Sequence, residues 1–201
     1  MTKRRQRGPG GQRGGAPGRL RIVAGNWRGR RLPVVDADGL RPTAERVRET
    51  LFNWLMHTLA GKRCLDLFAG TGALGLEALS RGARRCVFVE RDPRAAHALR
   101  ENVRTLDAAG AEVIEGDARR VIDTLDPGSF DLAFLDPPFA DADLTGLCRR
   151  LEDSGILAPD ARLYLEMPRD AADIELPDGW RRIKTGNAGN VSFALVATGQ
   201  T

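Results

Sequence analysis

The sequence predicts an α/β fold built on a mostly parallel, seven-stranded sheet whose last two strands form an antiparallel hairpin. From residue 62 onward, apolar strand-like runs alternate with helix-like segments, an order typical of parallel strands joined by right-handed crossovers. The last two strand-like runs are separated by a short glycine-containing segment, 185–190, which can join only antiparallel neighbours. The 201 residues are enough for one domain with a sizeable core and small extensions.

The N-terminal part of the chain precedes this alternating region and differs from it in composition. Residues 1–18 are rich in glycine, arginine and proline. We expect them to form a disordered basic tail, because they cannot bury enough apolar surface to offset the entropy of ordering. Residues 19–40 are expected to form a β-hairpin extension, with strands at Leu20–Ala24 and Trp27–Leu32 and a turn at Gly25-Asn26.

Residues 41–201 form the main predicted domain. It opens with an amphipathic helix at 43–60, which Thr43 can cap because its hydroxyl can accept a backbone hydrogen bond. The predicted strands lie at 64–68, 85–90, 112–115, 131–135, 162–166, 180–184 and 191–197. The predicted helices between them lie at 73–81, 94–107, 118–125 and 141–153.

Basic residues are concentrated at the N-terminus. Residues 1–35 contain ten basic and no acidic residues, whereas the rest of the chain contains 21 basic and 27 acidic ones. An acidic body with a basic arm favours a polyanionic partner that is contacted by one end of the molecule. We expect such binding to weaken steeply with salt, because each phosphate contact releases counterions.

Composition argues against several other classes of protein. No apolar run approaches the ~20 residues that cross a bilayer, and no apolar segment follows the basic N-terminus as in a secretory signal. The three cysteines have no C-x-x-C spacing, which argues against a zinc site or a disulfide framework. We therefore expect a cytoplasmic protein without a metal and without a membrane partner.

A glycine-rich loop follows the first strand of the alternating region. Gly70, Gly72 and Gly75 form a G-x-G-x-x-G pattern, which lets a ligand approach backbone N–H groups at the positive end of a helix. The pattern alone also fits a dehydrogenase that binds a dinucleotide. Asp66, at the end of the strand, favours S-adenosylmethionine, because a carboxylate attracts that cofactor's ammonium group and repels a pyrophosphate.

Two further acidic residues follow the next two strands. Glu90 can accept hydrogen bonds from both ribose hydroxyls of a nucleotide-like cofactor. Asp117 is placed to accept a hydrogen bond from the adenine amino group, and it can at the same time cap the next helix. The positions beside these residues complete the expected cofactor-binding set: Phe68, Ala69, Thr71, Arg91 and Ala118.

The tetrapeptide Asp136-Pro137-Pro138-Phe139 directly follows the apolar fourth strand. Ligands of open α/β sheets bind beyond the carboxyl ends of the strands, so it should face the same cleft as the glycine loop. The prolines fix the backbone, and the Asp136 carboxylate and Pro137 carbonyl can accept both hydrogens of an exocyclic amine. Phe139 offers a flat face to a base. Read alone, the tetrapeptide would fit a strand-terminating turn. In this position it predicts methyl transfer to an unpaired or flipped nucleic-acid base.

These motifs, together with a block before them, resemble the bacterial 16S ribosomal RNA (guanine(966)-N(2))-methyltransferases. The resemblance runs from about residue 20 to about 197 and is carried by residues 22–32, 41–43, 46–55, 65–83 and 136–139. It implies a class I, Rossmann-like methyltransferase fold, with S-adenosylmethionine as methyl donor and S-adenosylhomocysteine as product. It also implies methylation of guanine N2 in 16S rRNA, at guanine 966, in the 30S subunit or an assembly intermediate.

The resemblance assigns roles to several residues named above. It places Asp66, Gly70, Gly72, Glu90 and Asp117 in the cofactor site and Asp136 to Phe139 in catalysis. Residues expected to contact substrate RNA are basic, polar or aromatic: Arg21, Trp27, Arg28, Arg30, Arg41, Thr43 and Arg46.

Some of these assignments have structural alternatives. The basic segment at 41–48, which includes Arg48, can cover the cleft or contact phosphate, or it can simply pack on the sheet. Glu166, which closes the fifth predicted strand, can also face the cleft.

Two other functions remain open at this point. A DNA adenine-N6 or cytosine-N4 methyltransferase would use the same chemistry, but 201 residues leave little room for a target-recognition domain. A non-catalytic RNA-binding assembly factor could keep the fold. In each case we expect the protein to act as a monomer.

Overall fold

A small N-terminal hairpin and a seven-stranded sheet flanked by helices make up the part of the protein that the computed structural model describes, residues 18–34, 45–138, 143–171 and 173–199. The hairpin strands are β1 (Arg19–Arg21) and β2 (Arg31–Pro33). The sheet strands are β3 (Arg63–Asp66), β4 (Arg85–Glu90), β5 (Ala111–Glu115), β6 (Phe130–Leu135), β7 (Leu157–Pro168), β8 (Arg181–Ala188) and β9 (Val191–Ala197). The helices are α1 (Glu45–Leu55), α2 (Ala73–Ser80), α3 (Pro93–Leu106), α4 (Ala118–Ile122) and α5 (Leu144–Ser154).

The strands of the sheet lie in the order β5-β4-β3-β6-β7-β9-β8. The strands from β5 to β7 are parallel to one another, whereas β9 is antiparallel to both of its neighbours. The chain runs outward from β3 on one side and then returns to build the other side from β6. The loops after β3 and β6 therefore lie side by side at the carboxyl edge, at the point where ligands bind in such sheets. The predicted fold class is confirmed.

Each face of the sheet is covered by an apolar layer. The hairpin, α1, α2 and α3 contribute to one layer, and α4 and α5 contribute to the other. Because successive strand residues face opposite sides, Phe134 and Tyr164 belong to the first layer and Leu135 and Leu165 to the second. A residue at the carboxyl edge that lies two positions beyond one of these residues therefore faces the same side of the sheet as that residue.

Local signals fix where α3 begins and ends. Asp92 caps the helix, with its carboxylate accepting hydrogen bonds from the backbone N–H groups of Arg94 and Ala95 at 2.8 and 3.2 Å. Pro93 occupies the first helical position, where no backbone donor is needed. Asp107 ends the helix in the left-handed region, with φ at 50°.

The predicted two-residue turn of the N-terminal hairpin is wrong. The ladder between β1 and β2 is short, and residues 22–30 form a longer connection that packs against α2. Gly25 has a φ of 83°, and a Cβ atom there would lie 1.8 Å from the carbonyl oxygen of Ser80. Asn26 and Trp27 donate backbone hydrogen bonds to the Ser80 carbonyl and hydroxyl oxygens at 2.7 and 3.0 Å. The shape of this loop is set by its close approach to α2 together with the backbone hydrogen bonds that join Ile22 to Gly29 and Arg30.

The first helix is shorter than predicted at its C-terminal end. It stops at Leu55, where the Thr58 hydroxyl donates a hydrogen bond to the Leu55 carbonyl and competes with helical bonding. The chain then turns through Gly61, whose φ is 75°, into β3. Thr43, the predicted cap, lies outside the described residues.

Several other boundaries also differ from the prediction. β7 is longer than predicted at both ends. At its start Leu157 pairs with Phe130 of β6 before a register shift, and at its end the pairing with β9 continues as far as Pro168. β8 continues to Ala188, so the terminal turn is confined to Gly189 and Asn190 rather than 185–190. α4 ends at Ile122, where Thr124 donates its hydroxyl to a carbonyl of the last turn. Within the described ranges, no helix is long and apolar enough to cross a membrane.

Candidate active site

Three carboxyl groups converge at the carboxyl edge of the sheet, on one face. Asp66 ends β3 and pairs in register with Phe134 of β6. Asp136 lies two residues beyond Phe134, and Glu166 lies two residues beyond Tyr164 on β7. This spacing directs all three toward the layer formed with α1 and α2. Burial is the main cause that raises the pKa of Asp66, of Glu166 and of the Tyr164 hydroxyl, and the nearby charge of Asp136 raises each of these pKa values further.

Asp66 is almost completely buried, with 2% of its surface exposed. Its Oδ2 accepts a hydrogen bond from the backbone N–H of Gly75 at 3.0 Å, which ties the end of β3 to the first turn of α2. Burial raises the pKa of the Asp66 carboxyl to about 7, the negative charges of Asp136 and Glu90 add to this rise, and the Gly75 hydrogen bond opposes it. A cationic ligand group beside this carboxyl would favour its ionised form.

Glu90 holds the glycine loop against β4. Its Oε2 accepts a hydrogen bond from the Gly70 backbone N–H at 2.7 Å, and its Oε1 accepts one from the Asp92 N–H at 2.7 Å. Each carboxylate oxygen can accept a further hydrogen bond, so this network is compatible with ribose binding. At Gly72, where φ is 79°, a Cβ atom would lie 2.4 Å from a Leu99 methyl group. Close packing and a left-handed backbone therefore both require glycine at this position.

The carboxylate of Asp117 caps α4. It accepts hydrogen bonds from the backbone N–H groups of Arg119 and Arg120 at 3.0 and 3.3 Å. The capping role considered for this residue is thus observed, and adenine recognition at the same carboxylate stays a prediction. The other predicted cofactor residues line the same loops: Ala69, Thr71 and Ala118 are buried, Phe68 is half-buried and Arg91 is exposed.

The predicted catalytic segment begins one residue beyond β6. Asp136 is half-buried, Pro137 is buried and Pro138 is exposed. Phe139 lies outside the described residues, so its predicted stacking role stays a prediction. The segment therefore presents the Asp136 carboxylate next to the loop that Asp66 and Glu90 organise.

Glu166 reaches the same place from β7. It is 6% exposed, and its Oε2 accepts a hydrogen bond from the Tyr164 hydroxyl at 2.7 Å. Burial raises the pKa of the Glu166 carboxyl to about 7, Asp136 contributes to the rise, and the Tyr164 hydrogen bond opposes it. The structure thus favours the interpretation in which Glu166 faces the cleft.

The predicted RNA-binding residues have different environments. Arg28 and Arg46 are exposed, Trp27 is half-buried against the core, and the exposed Arg21 pairs with Glu45 at 2.8 Å. Arg30 is exposed and donates to the carbonyl of Thr105 at the end of α3 at 3.1 Å. Arg41 and Thr43 lie outside the described residues. The suggestion that Arg48 contacts phosphate is wrong, because its side chain is 3% exposed and pairs with Glu77.

Glu77 was not identified from the sequence as an important residue. Its fully buried carboxylate accepts hydrogen bonds from the backbone N–H groups of Val23 and Ala24 at 2.8 and 3.0 Å. It also pairs with Arg81 at 2.7 Å and with Arg48 at 3.5 Å. Glu77 therefore fastens the N-terminal extension and α1 to α2. A sequence signal was available, since an acidic residue interrupts the otherwise apolar helix A-L-G-L-E-A-L-S.

Comparisons with known proteins cover almost the whole chain. The family model described as "Conserved hypothetical protein 95" matches residues 20–197. The "Ribosomal RNA small subunit methyltransferase D" of Haemophilus influenzae is 43% identical over 187 residues, which is 90% of this chain and 94% of that protein. The protein of the same name from Escherichia coli K12 is 42% identical over 179 residues, 89% of each chain.

Solved structures agree with the sequence relatives. An Escherichia coli structure that carries a methyltransferase name superposes with a TM-score of 0.84 at 38% identity, covering 92% of this chain and 100% of that one. These relatives decide between the cofactors that the glycine pattern left open, and they favour S-adenosylmethionine over a dinucleotide. With the sheet order, the glycine loop and the strand-end acids described above, they show that the chain belongs to the conserved hypothetical protein 95 family, a family of class I, S-adenosylmethionine-dependent methyltransferases.

Proposed function

We propose that the protein transfers a methyl group from S-adenosylmethionine to the exocyclic N2 amine of a guanine in 16S rRNA, within the small ribosomal subunit or an assembly intermediate. The observation that carries this proposal is the position of Asp136 and Pro137 directly beyond β6, beside the loop that follows β3. The names of the relatives support a small-subunit ribosomal RNA as substrate. The choice of guanine, at position 966, is supported by the resemblance of residues 41–55 to the bacterial 16S ribosomal RNA (guanine(966)-N(2))-methyltransferases.

The residues at the edge of the sheet fit the parts of S-adenosylmethionine. Asp66 would pair with the ammonium group of the cofactor, and Glu90 would accept hydrogen bonds from its ribose hydroxyls. Asp117 would accept a hydrogen bond from the adenine amino group while it continues to cap α4. The glycine loop, which Glu90 holds in place, would allow the cofactor to approach the protein backbone closely.

Catalysis would depend mainly on the positioning of the amine. The Asp136 carboxylate and the Pro137 carbonyl would each accept one N2 hydrogen, drawing the nitrogen lone pair out of conjugation with the ring and directing it at the methyl carbon. Bound S-adenosylmethionine supplies an electrophilic methyl group and leaves as S-adenosylhomocysteine. As the nitrogen–carbon bond forms and the carbon–sulfur bond breaks, Asp136 or water would take the proton that N2 loses.

The N-terminal extension would bind RNA phosphate. Arg19, Arg28 and Arg31 are exposed on it, and the Glu77 network holds its loop against the methyltransferase fold. The basic tail before it would add a second set of phosphate contacts. Because such contacts release counterions, each of them should make binding more sensitive to salt.

Transfer of tritiated methyl groups tests the proposal. The substrates are 30S subunits, naked 16S rRNA and DNA, each from cells that lack the enzyme, and the modified nucleoside is identified after digestion. We expect N2-methylguanosine in the 30S subunit. Methylated adenine or cytosine in DNA would instead support the DNA methyltransferase, and binding of S-adenosylmethionine with no transfer to any of the three would support a non-catalytic assembly factor.

A further inference from the structure

The carboxylate of Glu166 lies beside the catalytic segment and has no role in the mechanism above. Leu135 of β6 and Leu165 of β7 are paired in register, so Asp136 and Glu166 each lie one residue further along two adjacent parallel strands. Adjacent strands are about 4.8 Å apart. Two carboxylates at this spacing can contact neighbouring groups on the edge of a single base.

The surroundings of Glu166 hold its carboxylate in a defined position. Tyr164 donates its hydroxyl to Oε2 at 2.7 Å, and Phe193 is the partner of Glu166 on β9. Trp54 of α1 packs against Phe193 with ring centroids 5.4 Å apart. Among the described residues, Glu166 accepts that one side-chain hydrogen bond, so Oε1 retains the capacity to accept another from a ligand.

The three amino-bearing bases differ at the ring nitrogen that lies beside the amine on the Watson–Crick edge. Guanine has a donor there, the N1–H group, beside its N2 amine. Adenine and cytosine have unprotonated acceptors there, N1 and N3, beside N6 and N4. An acceptor pair that holds only the amine does not distinguish these bases, whereas an additional carboxylate facing the ring nitrogen does. In its ionised form, which a hydrogen bond from the guanine N1–H also stabilises, it attracts that N1–H group and repels the lone pair of adenine or cytosine.

We propose that Glu166 accepts a hydrogen bond from N1–H of the target guanine and so selects guanine over adenine and cytosine, an inference that rests on the proposed function of the site. Asp136 and Pro137 hold the amine, Glu166 contacts the adjacent ring nitrogen, and Tyr164 positions Glu166. The cleft then contains one set of acceptors that holds the reacting amine and a separate acceptor that distinguishes guanine from the other bases.

The test uses 30S subunits reconstituted with 16S rRNA that carries either guanosine or 2-aminopurine riboside at the position methylated by the wild-type protein. 2-Aminopurine keeps the 2-amino group but presents an unprotonated N1, and it also lacks O6. The Glu166→Gln variant isolates the contribution of N1, because a glutamine of the same shape can donate to that nitrogen as well as accept. Glu175→Gln, at an exposed ion pair with Arg149, is the matched control.

We expect the wild-type protein to prefer guanosine by at least about 100-fold in kcat/KM, since a site built to bond an N–H group rejects an analogue without it. Glu166→Gln should lower that preference at least about tenfold. Tyr164→Phe keeps the ring but removes the hydroxyl, and should lower the preference by a smaller factor. Glu175→Gln should leave it unchanged.

Three results would overturn the inference. The first is equal use of both kinds of subunit by the wild-type protein, and the second is an unchanged preference in a folded Glu166→Gln variant. The third is loss of all activity on both kinds of subunit in that variant, because this loss would assign Glu166 a general catalytic role. Thermal melting of each variant verifies folding. If the wild-type protein methylates no guanosine in the subunit, the proposed function itself fails, which is a separate outcome.

Discussion

The carboxylate of Glu77 should be one of the most important single groups for stability. Glu77→Gln keeps the shape of the side chain but removes the charge that faces Arg48, which is 3% exposed. The substitution also replaces one carboxylate oxygen with an amide N–H₂ donor, although the N–H groups of Val23, Ala24 and Arg81 all donate to the Glu77 carboxylate. Removing one partner of a buried ion pair costs about 3–5 kcal/mol. Since domains of this kind are stable by only about 5–15 kcal/mol, the loss should be a large fraction of the total.

Urea unfolding of the wild-type and variant proteins measures this loss directly. Glu112→Gln is the matched control, because Glu112 forms an exposed ion pair with Arg85 and should cost at most about 1 kcal/mol. Adding Arg48→Met to Glu77→Gln should recover part of the loss, because the buried charge left without a partner is removed. A Glu77→Gln variant no less stable than Glu112→Gln would refute the assignment of Glu77 as the residue that fastens the extension.

Three further predictions concern the loop, the cofactor and the tail. Gly25→Ala should loosen the extension, because its Cβ would lie 1.8 Å from the Ser80 carbonyl oxygen, and limited proteolysis should then cut residues 22–30 faster than in the wild-type protein. Affinity for S-adenosylmethionine should fall as pH drops below about 7, the pKa of Asp66, because the protonated carboxyl cannot pair with the ammonium group. Calorimetry over this range should show up to about a tenfold loss per pH unit, and a flat profile in wild-type protein would contradict the pairing. Deleting residues 1–18 should weaken binding to the 30S subunit mainly at low salt, and equal binding of both forms would leave the tail without this role.

The strand-end residues show which parts of the site follow from sequence. Asp66, Glu90 and Asp136 each follow an apolar run, and parallel strands bring their carboxyl ends to one edge. Local patterns therefore located these residues without a structure. The glycine pattern likewise gave the start of α2, because left-handed backbone at Gly72 requires that residue.

The contacts that sequence patterns missed join distant parts of the chain. Glu77 bonds to Val23, 54 residues away, and the Ser80 hydroxyl and carbonyl bond to the loop that contains Gly25. The periodicity of apolar residues predicts which face of a helix or strand is buried. It does not predict which distant backbone group a buried polar side chain will contact. For the same reason Arg48 was grouped with phosphate-binding arginines, although the fold turns it inward toward Glu77.

In the proposed function, the amine receives the methyl group at the Asp136 segment. Asp136→Asn keeps the shape of the side chain but weakens one acceptor and removes the charge that can take a proton. Single-turnover methyl transfer to 30S subunits at saturating S-adenosylmethionine should slow by at least about 100-fold. The Kd of the cofactor, measured by calorimetry on the same preparation, should stay within a few fold of the wild-type value. A wild-type rate of transfer in the variant would contradict this role of Asp136.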